Sequence, residues 1–213
     1  MKQNQRNYLH RVLGLLAAFL LWTVLVCLVD VRPIGPLGSS VGFAGLNRFV
    51  HSLTGVHMTL YALTDWLSLL PLGMVCGFGV LGLTQWICRK RLRRVDRSLF
   101  VLGGFYVAVM AVFLLFECVA VNHRPVLING VLEASYPSST TMLVLCVMPT
   151  AVLQLNSRIG NKTLRRVISV VLTVFTVLMV VGRLISGVHW FTDIVGGILL
   201  SGGLVSLYQA LAG

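Results

Sequence analysis

Long apolar runs constrain this chain more than any other feature. Six of them follow one another at residues 9–29, 66–87, 99–121, 141–155, 167–185 and 192–211. A helix needs about 20 apolar residues to cross the hydrocarbon layer of a membrane, which is roughly 30 Å thick. The 141–155 run is short for a span, so we expect its helix to begin a little earlier or to end under a neighbouring helix. The sequence predicts an all-α membrane bundle with six transmembrane helices, built as one domain over residues 1–213.

The composition supports membrane insertion and excludes an ordinary soluble domain. Hydrophobic residues make up 57% of the chain and charged residues 11%, and the mean hydropathy of +0.90 lies far above the soluble range. The first apolar run follows Arg11 and is longer than the apolar core of a signal peptide, and no A-x-A cleavage site comes after it. We therefore expect it to be an uncleaved first helix.

The positive charge is concentrated in three short segments. Thirteen of the seventeen Lys and Arg residues lie within residues 2–11, 89–97 and 158–166, and the formal net charge is +11. With six crossings, these segments and both termini fall on one side, which the positive-inside rule identifies as cytoplasmic. The basic segments lack interleaved aromatic residues, so we expect no nucleic-acid partner. The expected location is a bacterial plasma membrane, with the protein embedded in the bilayer.

Other patterns limit the chemistry. The five cysteines are dispersed and form no CxxC pair, which argues against a disulfide framework and against a zinc site. No carboxylate cluster suggests a metal site, and we expect no cofactor. Apolar residues at helical spacing in 46–53 predict an interfacial helix. That helix would be either a structural element lying on the surface or a lid over a lipid-entry cleft.

Three polar segments are expected at the outer ends of the spans. They are ECVAVNHRP at 117–125, EASYPSSTTM at 133–142 and GRLISGVHWFTD at 182–193. His189 and Asp193 are four residues apart, a spacing that places both on one face of a helix. A carboxylate in that position can fix the imidazole tautomer and prepare a nucleophile or base. Arg124 and Arg183 could together clamp one phosphate.

The order and spacing of these segments resemble the type-2 phosphatidic acid phosphatase superfamily of membrane lipid phosphatases. The family pattern is K-x6-RP, then PSGH, then SR-x5-H-x3-D. The corresponding residues are Glu117-x6-Arg124-Pro125, then Pro137-Ser138-Ser139-Thr140, then Gly182-Arg183-x5-His189-x3-Asp193. The third motif is the most specific match. The resemblance covers the second half of the chain by motif and the whole chain by its six-span architecture.

The resemblance implies a role for each matching residue. His189 would attack phosphorus and form a phosphohistidine, oriented by Asp193, while Arg124 and Arg183 hold the phosphoryl oxygens. Ser138 and the backbone N–H groups of Ser139 and Thr140 would complete the cradle, because the start of a helix is an anion site. The partner would be a phosphorylated lipid within the bilayer, bound on the extracytoplasmic side.

This chain departs from the family pattern at three positions. Thr140 replaces the histidine that acts as general acid in the family, and a threonine hydroxyl is too weak an acid for that role. Glu117 replaces the family lysine, and we expect it two helical turns from Arg124 on one face, where it could neutralise that arginine. Gly182 replaces a serine, which is a smaller loss.

Three interpretations of these departures are open. The substrate could be a polyprenyl diphosphate, whose leaving phosphate has a second pKa of roughly 6 and needs no proton. Another residue could supply the proton, either a histidine (His51, His57 or His123) or Glu117 if burial favours its neutral form. Glu117 and His123 are therefore candidates for an auxiliary role. Thirdly, the protein could be a catalytically impaired relative that binds or transports phosphorylated lipids.

Overall fold

The computed structural model describes residues 2–212, and of these the side chains of residues 2–7 and 92 are left out of the description. It contains eight α-helices: α1 Lys2–Leu28, α2 Ala44–Thr54, α3 Met58–Leu67, α4 Leu69–Arg89, α5 Arg97–Cys118, α6 Ser139–Arg158, α7 Lys162–Ile185 and α8 Phe191–Ala212. Two short 3₁₀ turns lie at Pro36–Gly38 and Leu92–Arg94. The chain forms no β-strand within the described range. The predicted all-α class is confirmed.

Within residues 2–212, six segments are long and apolar enough to cross a membrane, as the six apolar runs predicted. The second segment was expected to begin at residue 66, but it begins at Met58, because α3 and α4 follow one another at Ser68 and together cover residues 58–89. The fourth segment starts at Ser139, inside the polar stretch, and continues to Arg158. Its predicted early start is confirmed.

Helices α6 and α8 form the centre of the bundle. Both are buried along much of their length, whereas α1, α4, α5 and α7 carry many exposed leucines and valines. Such outward apolar surface is unfavourable in water but natural against lipid. Helix α1 packs closely on α8, where a Cβ atom at Gly203 would lie 2.6 Å from Leu16. The chain thus buries its least apolar helices between those that face the membrane.

The basic segments lie together at one end of the bundle. The carboxylate of Asp96 lies 3.2 Å from Arg89 and 3.7 Å from Arg158, so the loops after α4 and α6 meet at the same end. The opposite end carries α2 and the loops that join α5 to α6 and α7 to α8. This arrangement agrees with the side-to-side alternation expected from the basic segments.

Helix α2 lies at that opposite end and covers residues 46–53, the stretch for which an interfacial helix was expected. Its Asn47 is fully buried and donates to the hydroxyl of Thr192 over 3.0 Å. The Asn47 side chain also accepts a bond from the backbone N–H of Thr192. These contacts fasten α2 to the start of α8 and favour a structural role for the helix.

Candidate functional site

A sharp turn between α7 and α8 presents His189. Gly187 within it has φ +68°, and a Cβ atom there would lie 1.8 Å from the carbonyl oxygen of Gly55, so only glycine fits. The backbone N–H of His57 donates to the carbonyl of Ser186 over 2.9 Å. The ring of His51 contacts the carbonyl oxygen of Gly187 at 3.1 Å. The end of α2 and the segment after it therefore fix the turn that carries the histidine.

His189 and Asp193 meet, although not on one helical face as the spacing suggested. His189 lies in the turn before α8, and Asp193 lies in the first turn of that helix. The side chain of Asp193 accepts from the backbone N–H of Trp190 over 2.9 Å and from the amide of Asn122 over 3.2 Å. Its carboxylate stands 3.8 Å from Nδ1 of His189, and both side chains are buried. A carboxylate that reaches back to the helix start in this way is a stable helix cap.

The surroundings of His189 define its tautomer and charge. Nη1 of Arg124 lies 3.4 Å from Nε2 of the ring. Because arginine can only donate, Nε2 must be the acceptor, which leaves the proton on Nδ1 toward Asp193. Burial lowers the pKa of His189 to about 4, although Asp193 acts in the opposite direction. The ring is therefore neutral near pH 7, with the lone pair on Nε2 directed at Arg124.

Arg183 is held by a ring of oxygen acceptors. Its side chain is 2% exposed and donates to the Thr140 hydroxyl over 2.7 Å and to the Thr64 hydroxyl over 3.2 Å. It also donates over 3.3 Å to the backbone carbonyl of Tyr61 and to the carboxylate of Asp65. The guanidinium lies 4.7 Å from the centre of the Tyr61 ring. These contacts fix a buried cation in one orientation.

Arg124 lies near the same tyrosine. Its guanidinium is 5.9 Å from the Tyr61 ring centre, and Nε is 2.9 Å from the carboxylate of Glu133. The backbone N–H of Arg124 donates to the carbonyl of Glu133 over 3.0 Å. Tyr61 thus joins both arginines, and Nη1 of Arg124 is the part directed at His189.

The turn before α6 completes the group. The backbone N–H of Ser138 donates to the carbonyl of Asp193 over 3.1 Å, which joins this turn to α8. Helix α6 begins at Ser139, and the first N–H groups of a helix have no acceptor within it. Among the described residues, buried polar atoms without a partner include Oγ of Ser138, Nε of Arg183 and Nδ1 of His189. The cluster therefore offers cationic and hydroxyl donors suited to an anion.

A largely apolar cavity opens beside this cluster. It has a volume of about 380 Å³ and runs between α4, α5 and α6, reaching Asp65, Ser139 and Thr140 at its polar end. A second cavity of about 540 Å³ between α4 and α5 shares Val75, Tyr106 and Met110 with it and extends to Trp86. The two are therefore neighbours, and together their apolar linings extend from the polar cluster to Trp86.

Comparison with known proteins agrees with this geometry. The family model of the PAP2 superfamily matches residues 51–211. The chain belongs to the PAP2 superfamily. The resemblance inferred from the three motifs is therefore confirmed, and the PAP2 model covers α3 to α8 together with every residue of the cluster.

A solved PAP2 structure has the same fold. It is described as the first transmembrane PAP2 type phosphatidylglycerolphosphate phosphatase from Bacillus subtilis. The two structures superpose with a TM-score of 0.61, at 18% sequence identity, over 94% of each chain. No curated protein matches this sequence. At this identity the structural match establishes the PAP2 fold, and the chemistry must be argued from the residues.

The position of Glu117 differs from the expectation. Helix α5 ends at Cys118, so the chain is no longer helical between Glu117 and Arg124, and the two do not share a helical face. Arg124 is paired with Glu133 instead. Glu117 lines a narrow cleft together with Ser139 and His189, so it lies next to the PAP2 cluster without neutralising its arginine.

The other histidines have structural contacts. The carbonyl oxygen of His123 accepts from the indole of Trp190 over 2.8 Å, which connects the Arg124 loop to the His189 turn. His51 packs against Trp190, with ring centres 5.4 Å apart. Nε2 of His57 lies 2.8 Å from the carbonyl oxygen of Thr54. The predicted role of His123 as an auxiliary acid stays a prediction.

Several residues of the cluster were not anticipated from the sequence. They are Tyr61, Thr64 and Asp65 on α3, Asn122 in the loop after α5, and Glu133 before the Ser138 turn. An ionisable residue at the start of an apolar run is a usable signal, and Asp65 fits that description. Among the described residues, no group of three or more His, Cys, Asp or Glu side chains is placed to hold a metal ion.

Proposed function

We propose that this PAP2 protein is a membrane lipid phosphatase that works through a phosphohistidine on His189. One observation carries the proposal: Nε2 of His189 faces Arg124 at 3.4 Å while Nδ1 faces Asp193. A neutral imidazole with its lone pair directed at a cation is placed to attack a phosphoryl group bound by that cation. Asp193 would stabilise the positive charge that develops on the ring during attack.

The reaction would proceed in two steps. In the first, Nε2 forms a bond to phosphorus while the bond from phosphorus to the leaving oxygen breaks. Arg124 and Arg183 would stabilise the charge on the phosphoryl oxygens, with Ser138, Ser139 and Thr140 completing the cradle. In the second step, water attacks the phosphohistidine, inorganic phosphate leaves, and the neutral ring is restored.

The adjoining cavities support a lipid substrate. Along α4 they run from Ser68 to Trp86, a helical length of roughly 27 Å at 1.5 Å per residue. That is close to the hydrocarbon thickness of a bilayer. A phosphate at the cluster with a hydrocarbon tail in the cavities would match the polar and apolar parts of a phosphorylated lipid.

The distribution of charge supports one orientation in the membrane. The three basic segments lie at the end of the bundle away from His189, and the positive-inside rule assigns that end to the cytoplasm. Both termini would then be cytoplasmic and the cluster extracytoplasmic. The substrate would be a lipid phosphate, such as phosphatidylglycerolphosphate or phosphatidate, or a polyprenyl diphosphate.

Phosphate release by the purified protein would test the proposal. The assay compares phosphatidylglycerolphosphate, phosphatidate and a prenyl diphosphate, each beside the His189→Ala variant. We expect release from at least one substrate and trapping of acid-labile phosphate on the wild-type protein only. Release equal to that of the variant on all three substrates would contradict the enzyme proposal.

A binding or transport role is the second candidate. It is favoured by the presence of Thr140 at the general-acid position and by carboxylates that already contact both arginines. It predicts that lipid phosphate binds without turnover and that Arg124→Ala and Arg183→Ala each weaken binding. Movement of a labelled lipid phosphate across vesicles that contain the protein would distinguish transport from binding alone.

A further inference from the structure

Hydrolysis of a lipid monophosphate requires a proton donor, and Thr140 cannot be that donor. The leaving oxygen of such an ester departs as an alkoxide unless an acid protonates it. Thr140 is too weak an acid, and its hydroxyl oxygen already accepts from Nη2 of Arg183 over 2.7 Å. If the proposed phosphatase reaction takes place on monoesters, another group near Thr140 must donate the proton.

Asp65 lies beside Thr140. The same nitrogen of Arg183 contacts the Thr140 hydroxyl at 2.7 Å and the Asp65 carboxylate at 3.3 Å. The Asp65 side chain is 58% exposed, whereas that of Arg183 is 2% exposed. Asp65 also lines the 380 Å³ cavity together with Ser139 and Thr140. Its carboxyl group therefore stands at the boundary between the buried cation and the apolar cavity.

That boundary is where the leaving oxygen is expected. In phosphoryl transfer the attacking and leaving atoms lie roughly in line on opposite sides of phosphorus. Attack comes from Nε2 of His189, which does not line the 380 Å³ cavity. The leaving oxygen joins phosphorus to the lipid tail, so a tail in that cavity places the oxygen at its polar end, next to Asp65.

The other nearby carboxyl groups are placed less well. Glu133 contacts Nε of Arg124, while the Nη1 atom of that arginine faces His189. Glu117 lines a narrow cleft together with His189. Neither of the two lines the cavity proposed for the tail.

We infer that Asp65 is the general acid of the proposed reaction, in place of the family histidine. As Nε2 bonds to phosphorus and the phosphorus–oxygen bond breaks, the Asp65 carboxyl gives its proton to the leaving oxygen, and the lipid leaves as an alcohol. The Asp65 carboxylate then takes a proton from the water that attacks the phosphohistidine.

Asp65→Asn tests this role because the amide keeps the size and the acceptor oxygen but cannot act as an acid. The kcat/KM value is measured with phosphatidate, which has a poor leaving group, and with p-nitrophenyl phosphate, which has a good one. We expect kcat/KM of Asp65→Asn to fall by about 10² to 10⁴ on phosphatidate and by less than about tenfold on the aryl ester. Phosphohistidine should accumulate in this variant with the aryl ester, because the second step also lacks its base.

Two further variants sharpen the test. Asp65→Glu keeps a carboxyl group and should regain part of the activity on phosphatidate. Asp30→Asn removes a carboxylate from the same end of the bundle, where Asp30 contacts Arg32 and the backbone N–H of Gly45 rather than the cluster. The amide oxygen can still accept from Gly45, so this variant should behave as wild type.

The outcomes separate this role from the proposed function. Equal losses on both substrates in Asp65→Asn would mean that Asp65 only positions Arg183 and would overturn its role as acid. Unchanged activity on both would overturn it as well. A wild-type protein no better than His189→Ala on every substrate would overturn the phosphatase proposal itself, and the role of Asp65 with it.

Discussion

The hydroxyl oxygen of Thr140 accepts a hydrogen bond from Arg183 over 2.7 Å. The residue at the family's general-acid position has therefore become part of the support for a phosphate-binding cation. This contact joins the first turn of α6 to the last turn of α7 and helps to fix the guanidinium against Tyr61. Thr140 thus has a definite structural use although it cannot act as an acid.

Removal of this hydroxyl should weaken catalysis on all substrates alike. Thr140→Val keeps the shape of the side chain but leaves Arg183 without one acceptor. A hydrogen bond to a charged group contributes about 1.5 to 3 kcal/mol, so we expect kcat/KM to fall by about 10- to 100-fold. The measurement uses phosphatidate and an aryl phosphate in parallel.

Thr141→Val is the matched control for that substitution. Thr141 is the next residue, it is also buried, and its hydroxyl has no partner among the described residues. We expect this variant to keep wild-type activity. The interpretation of Thr140 would be wrong if both variants lost activity to the same degree, or if Thr140→Val affected one substrate only.

Asp193→Asn should disable the nucleophile while the fold is kept. The amide oxygen can still accept from the N–H of Trp190, but an amide cannot stabilise the imidazolium that forms during attack. We expect kcat/KM to fall by about 10² to 10⁴, with little phosphohistidine trapped. The Tm should fall as well, because the new amide N–H would face the Asn122 amide, which donates to Asp193 over 3.2 Å. A variant that keeps wild-type levels of trapped phosphohistidine would argue against the orienting role of Asp193.

On the acid side of the pH profile, kcat/KM should fall only at unusually low pH. Because burial lowers the pKa of His189 to about 4, the ring of the free protein stays neutral well below the ordinary value of about 6.5. The limb in kcat/KM is measured with two substrates whose phosphate groups titrate differently. A limb near pH 4 that both substrates share belongs to the protein, whereas a shared limb near 6.5 would contradict this prediction.

The same shift makes a prediction about stability. Between pH 6.5 and 4 the unfolded chain binds a proton at His189 that the folded chain does not bind, so folding becomes less favourable as the pH falls through this window. The His189→Gln variant lacks this contribution. We expect the difference in Tm between wild type and variant to change in this window and to stay constant above it.

The fold could be predicted from the sequence because span length is a strong signal. Each of the six apolar runs corresponds to a membrane-length helix. The start of the second span was misplaced because Thr64 and Asp65 are polar and appeared to belong to the outer loop. They lie on α3 and turn toward Arg183, where buried polar partners offset the cost of membrane insertion.

The residues of the site could be predicted from the sequence only where they belong to a motif with a recognisable spacing. Arg124, Arg183, His189 and Asp193 were named from the motifs, and the structure brings them together. Asp65 meets Arg183 across a separation of 118 residues, a contact that no local spacing records. Only the packing of α3 against α7 in the folded protein brings these two residues together.

Close packing of α8 on the Ser138 turn should be sensitive to a single methyl group. A Cβ atom at Gly196 would lie 2.6 Å from the ring of Tyr136, and that ring is stacked on Phe19 and so cannot easily move. We expect Gly196→Ala to destabilise the protein by about 1 to 3 kcal/mol and to lower activity by displacing the turn. Gly104→Ala is the control, since nothing lies within 4 Å of a Cβ atom there. Equal Tm values for the two variants would contradict the predicted overlap.

Blocking the long cavity should affect lipid substrates alone. Gly103 lines the 540 Å³ cavity between α4 and α5, and a Cβ atom there meets nothing within 4 Å, so a bulky side chain can be added without a clash at Cβ. We expect Gly103→Phe to raise KM for a long-chain lipid phosphate about tenfold or more, because the added ring takes the place of several buried methylene groups of the tail.

Water-soluble aryl phosphate has no tail, so its kcat/KM should be unchanged in Gly103→Phe. Gly73→Phe is the matched control, because Gly73 is exposed on α4 and lines neither cavity. If Gly103→Phe and Gly73→Phe raised KM for the lipid equally, the effect would come from the membrane surface of the bundle. The tail would then have to leave the cluster by another path, and the position assigned to the leaving oxygen beside Asp65 would lose its support.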